Sequence, residues 1–204
     1  MEVNYYNEEI PLIIVDNFYT EQERNDIMVE LDYLSDDRRM IPPYKDKEAA
    51  HYKNVNQKNA KCQYLESFFR HREHSSILQI TEKIFQNNTE IINNHPHWFY
   101  DCSQINAHWT HIIYYEHNEE YKPHKDSARM TVLTYFYREP KRFEGGHTLF
   151  PDYDIQVECK NNRILVFPSN IRHASVPLKM DDQYRNKKNG KFCITHFLNR
   201  HNED

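Results

Sequence analysis

The sequence predicts an α+β fold in one domain spanning residues 1–204, with a helical N-terminal part over about 1–100 and a β core over about 101–204. Three observations lead there. Apolar residues recur at helical spacing in the first half. Short runs of β-branched and aromatic residues replace them from Cys102 onward, which favours a sandwich or jelly roll. Turn signals, not linkers, separate those runs, so no domain boundary is visible.

Pro11–Asp16 is β-branched and reads as a strand. Thr20 followed by Glu23 forms a capping box, and Ile27, Leu31 and Leu34 continue at helical spacing, so Thr20 to about Leu34 is a helix. Asp36 to about Asn59 is polar, carries Pro42-Pro43 and reads as a long loop, either a lid or binding element or a disordered stretch. Leu65, Phe68 and Phe69 suggest a second helix. Ile77, Leu78, Thr81, Ile84 and Phe85 suggest a third, capped by Ser75. The later strands are Trp109–Glu116, Thr131–Tyr137, Arg163–Phe167 and Phe192–Leu198. Gly145-Gly146, Pro151-Asp152, Asn161-Asn162 and Asn189-Gly190 mark turns between and around them.

Composition narrows the classes. A net charge of −5 argues against a broad nucleic-acid surface, which needs a basic excess to meet phosphates. No apolar run approaches the ~20 residues of a membrane helix, and the N-terminus lacks the basic segment of a secretory signal. Cys62, Cys102, Cys159 and Cys193 are scattered with no Cys-x-x-Cys, which points to reduced thiols and a cytoplasmic location rather than a disulfide scaffold or zinc knot. The chain has only three glycines against a usual ~7%, and two of them are adjacent, at a predicted turn of positive φ.

His124-Lys125-Asp126 carries the chemistry. On a strand, residues i and i+2 share a face, so one imidazole and one carboxylate would point to one place. His173 follows the apolar run ending Val166-Phe167-Pro168, just past a strand end. Two His and one carboxylate around one metal, with other positions left open, make the facial triad of non-haem Fe(II) oxygenases. With 13 histidines in the chain, a chance His-x-Asp pair is the competing reading.

From about Trp109 to Leu198 the chain resembles the Fe(II)- and 2-oxoglutarate-dependent dioxygenases of the prolyl 4-hydroxylase type. The resemblance rests on Tyr115 and Tyr121, nine and three residues before His124, and on Asp126, Arg129 and the strand Thr131-Val132-Leu133-Thr134-Tyr135. It continues through Gly145-Gly146-His147-Thr148-Leu149-Phe150-Pro151, Arg163–Pro168 and His173-Ala174-Ser175-Val176-Pro177. It implies a double-stranded β-helix core with the N-terminal helices packed on one side. It implies Fe(II) held by His124, Asp126 and His173, with 2-oxoglutarate chelating the metal, O2 as oxidant, and ascorbate as an admissible reductant. Tyr115 and Thr148 would hydrogen-bond 2-oxoglutarate, and Tyr121 and Arg129 would face the substrate.

The distal carboxylate of 2-oxoglutarate needs a buried cation, because an unpaired buried charge is costly. The family places it about ten residues after the second histidine, where this chain has Gln183. Lys191 opens the next strand, 18 residues after His173 (191 − 173), and is the favoured partner; Lys179 and Arg185 are the alternatives. His108, His111 and His147 read as structural. The implied activity is hydroxylation of an unactivated C–H, with a prolyl residue in a peptide as the first substrate class and a free amino acid or other small molecule as the second. The paired-arginine signature of nucleic-acid dealkylating relatives is absent. Outside this class stand a zinc site and a non-catalytic jelly-roll binding protein. Oligomeric state is not legible in the sequence.

Overall fold

The structure is a computed structural model that describes residues 1–86, 89–100 and 105–200. Its frame is a seven-stranded sheet. Its strands are β1 (Glu2–Tyr6), β2 (Leu12–Asp16), β3 (Lys61–Tyr64), β4 (Ala107–Tyr115), β6 (Met130–Phe136), β9 (Arg163–Pro168) and β11 (Lys191–Asn199). A smaller sheet holds β5 (Tyr121–His124), β7 (Thr148–Phe150), β8 (Ile155–Val157) and β10 (His173–Ser175). The strand orders are β1-β2-β9-β6-β11-β4-β3 and β8-β7-β10-β5, and every pairing is antiparallel. The core is therefore the expected double-stranded β-helix.

Alternation along the central strands builds two cores, because successive side chains leave opposite faces of a sheet. On one face Ile112, Val132, Phe136, Ile164, Val166, Phe192 and Ile194 are buried against α1 (Glu21–Leu34), through Ile27, Leu31 and Leu34. The same layer receives Leu65 of α2 (Leu65–Phe68), Ile77 and Leu78 of α3 (Ser76–Thr81), Ile84 of α4 (Lys83–Gln86) and Ile92 of α5 (Thr89–Asn93). On the other face Ile113, Tyr115, Leu133, Tyr135, Leu165, Phe167 and Cys193 meet Tyr121, Phe150 and Val157 between the two sheets.

The local signals explain most ends. Thr20 and Glu23 form the capping box at α1, and Ser75 accepts from the Leu78 N–H at the start of α3. The expected third helix is broken at Glu82 into α3 and α4. The N-terminal part is less helical than its periodicity suggests, since β1, β2 and β3 supply both edges of the large sheet. The polar loop after α1 is structured, with a 3-10 turn at Pro43–Lys45 and a ladder between His51–Tyr52 and Val55–Asn56. Cys62, Cys159 and Cys193 are buried free thiols, and Cys102 lies outside the described residues. Among the described residues no helix is long and apolar enough to cross a membrane.

Gly190 stands where β11 begins. A Cβ there would lie 1.9 Å from the Tyr115 carbonyl oxygen across the β4–β11 ladder, so no side chain fits. Gly190→Ala is expected to destabilise the protein by about 2 kcal/mol or more, by forcing the two backbones apart. Thermal unfolding checks this; an unchanged midpoint would contradict the close approach.

Candidate metal and co-substrate site

Sheet register brings the predicted ligands together. His124 ends β5 and His173 opens β10, and the two are directly opposed across the ladder, with ring centroids 4.4 Å apart. Asp126 lies beyond the end of β5, so the same-face argument for a strand does not place it. Its N–H donates to the Ser169 carbonyl at 3.0 Å, and its Oδ2 accepts from Thr131 Oγ1 at 2.6 Å. The carboxylate then stands 3.6 Å from His124 Nε2 and 3.4 Å from His173 Nε2.

The imidazoles are oriented for a metal. His124 Nδ1 donates to the Lys122 carbonyl at 2.7 Å and His173 Nδ1 to the Ile171 carbonyl at 2.9 Å. Each Nε2 therefore keeps its lone pair, as outer-shell hydrogen bonds of metal ligands arrange. Burial first, and then the neighbouring His173, pushes His124 down to about 4, so it is neutral and able to ligate at neutral pH. Burial alone would raise Asp126, but His173, then His124 and Thr131, hold its carboxyl below the usual range. These three ligand atoms, all within 4.8 Å of one another, fit one divalent ion of the facial-triad class.

The triad opens into a cavity of about 510 Å³ that reaches Tyr115, Thr148, Ser175 and Lys191 at one end and Trp109 and Phe197 at the other. Lys191 is only 1% exposed. Its ammonium donates to the Gly146 carbonyl at 2.7 Å and Ser175 Oγ at 2.8 Å, and sits 4.7 Å above the Tyr115 ring. Among the described residues it has no carboxylate partner. A cation held this way inside a cavity fits the distal carboxylate of a dicarboxylic co-substrate. Of the alternatives, Lys179 is exposed and Arg185 pairs with Asp182 at 2.6 Å; neither lines the cavity.

The other predicted residues divide. Thr148 is buried in the cavity wall and pairs with the Tyr135 hydroxyl at 2.7 Å. Tyr121 also lines the cavity, and its ring stacks on His124 at 3.6 Å while its hydroxyl accepts from the Ala50 N–H at 2.8 Å. Arg129 does not line it: the guanidinium lies 5.5 Å from the Phe99 ring and donates to the Phe99 carbonyl. His108 stacks on Phe85 and His147 accepts from the Cys159 N–H, and neither lines the cavity. His111, read as structural, does reach the cavity wall.

Two partners of Lys191 escaped the sequence reading. Ser175 stands two residues after His173, a spacing that places both on one strand face and could have signalled it. Gly146 has φ +69°, and a Cβ there would press to 3.2 Å from Lys191 Cδ, so this glycine makes room for the lysine.

Neutral buried imidazoles also set a pH dependence. His124 is depressed to about 4, His196 to about 3 and His111 well below its ordinary value, burial being the largest cause for each. The unfolded chain takes up protons below about 6.5 while these folded sites stay neutral, so folding is progressively weakened as pH falls from about 6.5 towards 4. Metal-free protein is expected to show a falling thermal midpoint from pH 7 to 5; a flat or rising midpoint would contradict it.

A two-histidine, one-carboxylate centre beside a buried, carboxylate-free lysine in a jelly roll defines a non-haem iron oxygenase that uses a 2-oxo acid. Comparison agrees. Residues 110–199 match the model of the 2OG-Fe(II) oxygenase superfamily. The protein is a 2-oxoglutarate-dependent dioxygenase whose cofactors are Fe(II), 2-oxoglutarate and O2. Its fold is that of prolyl hydroxylases. A Pseudomonas putida prolyl-4-hydroxylase superposes with a TM-score of 0.66 at 12% identity, covering 95% of each chain. A Trichoplax adhaerens prolyl hydroxylase, in complex with a hypoxia inducible factor peptide fragment, gives 0.62 at 13%, covering 93% of this chain and 83% of that one. A viral collagen prolyl hydroxylase from Paramecium Bursaria Chlorella virus-1, in complex with 2OG, gives 0.55 at 15%, covering 92% and 94%. No curated protein matches the chain by sequence.

Proposed function

We propose that the protein hydroxylates a prolyl residue within a peptide or protein. The observation that carries the co-substrate part of this reading is the buried ammonium of Lys191, in the same cavity as the triad and without a carboxylate partner among the described residues. His124, Asp126 and His173 would hold Fe(II), which with 2-oxoglutarate and O2 supplies the oxidant that turns C–H into C–OH, releasing succinate and CO2. Lys191 binds the distal carboxylate, and Tyr115, Thr148 and Ser175 wall that end. Ile113, Leu133 and the Tyr115 ring keep water from it.

The substrate part is supported by the cavity's second end. It leads out past Trp109, which is 40% exposed, and is flanked by Glu66, Ser67 and Phe197, so an extended chain can enter without burying its ends. All three structural relatives described above are prolyl hydroxylases, and one was captured with a peptide. A free amino acid is the second substrate class. A cytoplasmic location belongs to the same reading and is supported by the free buried thiols.

Anaerobic addition of Fe(II) and then 2-oxoglutarate to metal-free protein is expected to produce a weak visible charge-transfer band only when both are present. Under air, proline-containing peptides should raise succinate formation and gain one oxygen atom by mass. A band without peptide turnover, but with turnover of free proline, would replace the substrate; absence of the band would remove the co-substrate.

A further inference from the structure

A second cluster of ligand-type side chains lies behind the cavity wall. Asp46, Cys62 and His111 are all buried, and one ligand atom from each lies within 4.8 Å of the others. The three come from distant parts of the chain: the loop after α1, β3 and β4. Yet the place between them is taken. Lys58 Nζ stands 2.5 Å from Asp46 Oδ2 and 3.3 Å from His111 Nε2, with both ion-pair side chains at most 1% exposed. Cys62 Sγ donates to the same Asp46 oxygen at 3.2 Å, and the Tyr64 hydroxyl donates to Oδ1 at 3.0 Å.

A carboxylate, an imidazole nitrogen and a thiol converging on one point are the donor set of a transition-metal site. An ammonium brings one positive charge and three tetrahedral donors to that point. We propose that Lys58 is a tethered cation in a metal's place: it fills a second metal site formed by Asp46, Cys62 and His111, excludes metal from it, and clasps the 46–58 segment to the sheet. Two consequences follow for the catalytic cavity. The clasped segment carries Glu48, Ala49 and Ala50, which line the cavity, so this wall is fixed before substrate arrives. It also stands beside Tyr121, whose ring lies 5.7 Å from Lys58 Nζ and stacks on the ligand His124. This is independent of which substrate the enzyme uses.

Without Lys58 the Asp46 carboxylate is left buried and unpaired, a costly state that a divalent ion relieves. Co(II) is the probe, since thiolate ligation gives it an intense near-ultraviolet band. Wild type is expected to bind one Co(II), at the triad, with no thiolate band. Lys58→Leu should bind a second Co(II) with the band, and Lys58→Leu/Cys62→Ala should lose the band. By mass action Co(II) should also raise the thermal midpoint of Lys58→Leu more than that of wild type. Hydrogen exchange supplies the clasp readout: the Gln57 and Asn59 amides, bonded to Ala50 and Glu120, should exchange at least tenfold faster in metal-free Lys58→Leu and slow again with Co(II). If Lys58→Leu folds only with Co(II), the proposal stands. If neither it nor Lys58→Ala is recovered by refolding with Co(II), the proposal falls. A folded variant with one Co(II) and no band, or a wild type that takes two with the band, overturns the site. Unchanged exchange overturns the clasp.

Discussion

Replacing Lys191 by Met is expected to weaken 2-oxoglutarate binding about 100-fold or more while leaving the metal-free protein close to wild type in stability. The two halves of this result have different causes. In the metal-free protein the ammonium is buried against a carbonyl, a hydroxyl and the Tyr115 and Tyr135 rings, with no carboxylate among the described residues. Removing it relieves a desolvated charge but leaves the Gly146 carbonyl and Ser175 hydroxyl short of a partner. A buried ion replaced by an apolar group of like volume is often neutral, and an orphaned polar group costs about 1–3 kcal/mol, so the net change is small. With co-substrate the balance reverses, because the distal carboxylate would be buried unpaired. Breaking a buried pair costs about 3–5 kcal/mol, which at ~1.4 kcal/mol per tenfold is a rise in Kd of about 100-fold or more. Titration of 2-oxoglutarate into the Fe(II) protein, read by the visible band, measures one half, and thermal unfolding the other. A Kd within threefold of wild type would move the distal carboxylate away from Lys191. Lys191→Arg should fall between, since its fork can pair with a carboxylate but must fit beside Gly146 and two tyrosine rings.

The legibility of this site in the sequence follows the physics that builds it. His124 and His173 were legible through the His-x-Asp spacing, the apolar run ending Val166-Phe167-Pro168 and the motif resemblance; the short strands that carry them, Tyr121–His124 and His173–Ser175, have no β-branched run, so their opposition across a ladder was not. Lys191 was readable as the residue opening a strand, even though the polar stretch before it, Lys179 to Gly190, defeats a fixed spacing. That stretch is a surface excursion with a 3-10 turn at Asp182–Tyr184, and it leaves the strand start in place. Asp126 does stand with the two histidines, but strand alternation is not what puts it there: its position comes from Ser169 and Thr131.

Other features had no local signal. The Asp46–Lys58 pair lies in a polar stretch without periodicity, and its meeting with His111 spans 53 residues, so only the tertiary register of β3 and β4 reveals it. β1 was missed because its Glu2–Tyr6 sequence is an edge strand, with little burial to impose alternation. Arg129 shares parity with Thr131, which faces the cavity side. Its long side chain nonetheless bends to Phe99, a choice that strand period does not determine. Covalent spacing is readable where a strand carries it; side-chain destinations beyond the strand ends are not.

A graded loss of metal affinity is expected on Thr131→Val and Asp126→Ala, and the grading tests how the carboxylate is held. Thr131 touches no metal. Its hydroxyl donates to Asp126 Oδ2 at 2.6 Å and also meets Ser169 Oγ at 2.8 Å, in a place of zero exposure. Valine keeps the shape and removes the donor, so Asp126 loses its orientation while the two imidazoles keep theirs through Lys122 and Ile171. Loss of an outer-shell partner typically weakens metal binding about 10–100-fold, and Thr131→Val should fall in that range. Asp126→Ala removes the only negative charge among the three ligands and should weaken binding further, beyond the ~100-fold end of that outer-shell range. It should leave the fold intact, because Asp126 is tied to Ser169 through its backbone N–H, which alanine retains. Competition titrations of Fe(II) or Co(II) under anaerobic conditions, with circular dichroism as the folding control, give both values. Equal affinities for Asp126→Ala and wild type would place the metal elsewhere. A Thr131→Val variant as weak as Asp126→Ala would show that an unsupported carboxylate contributes nothing as a ligand.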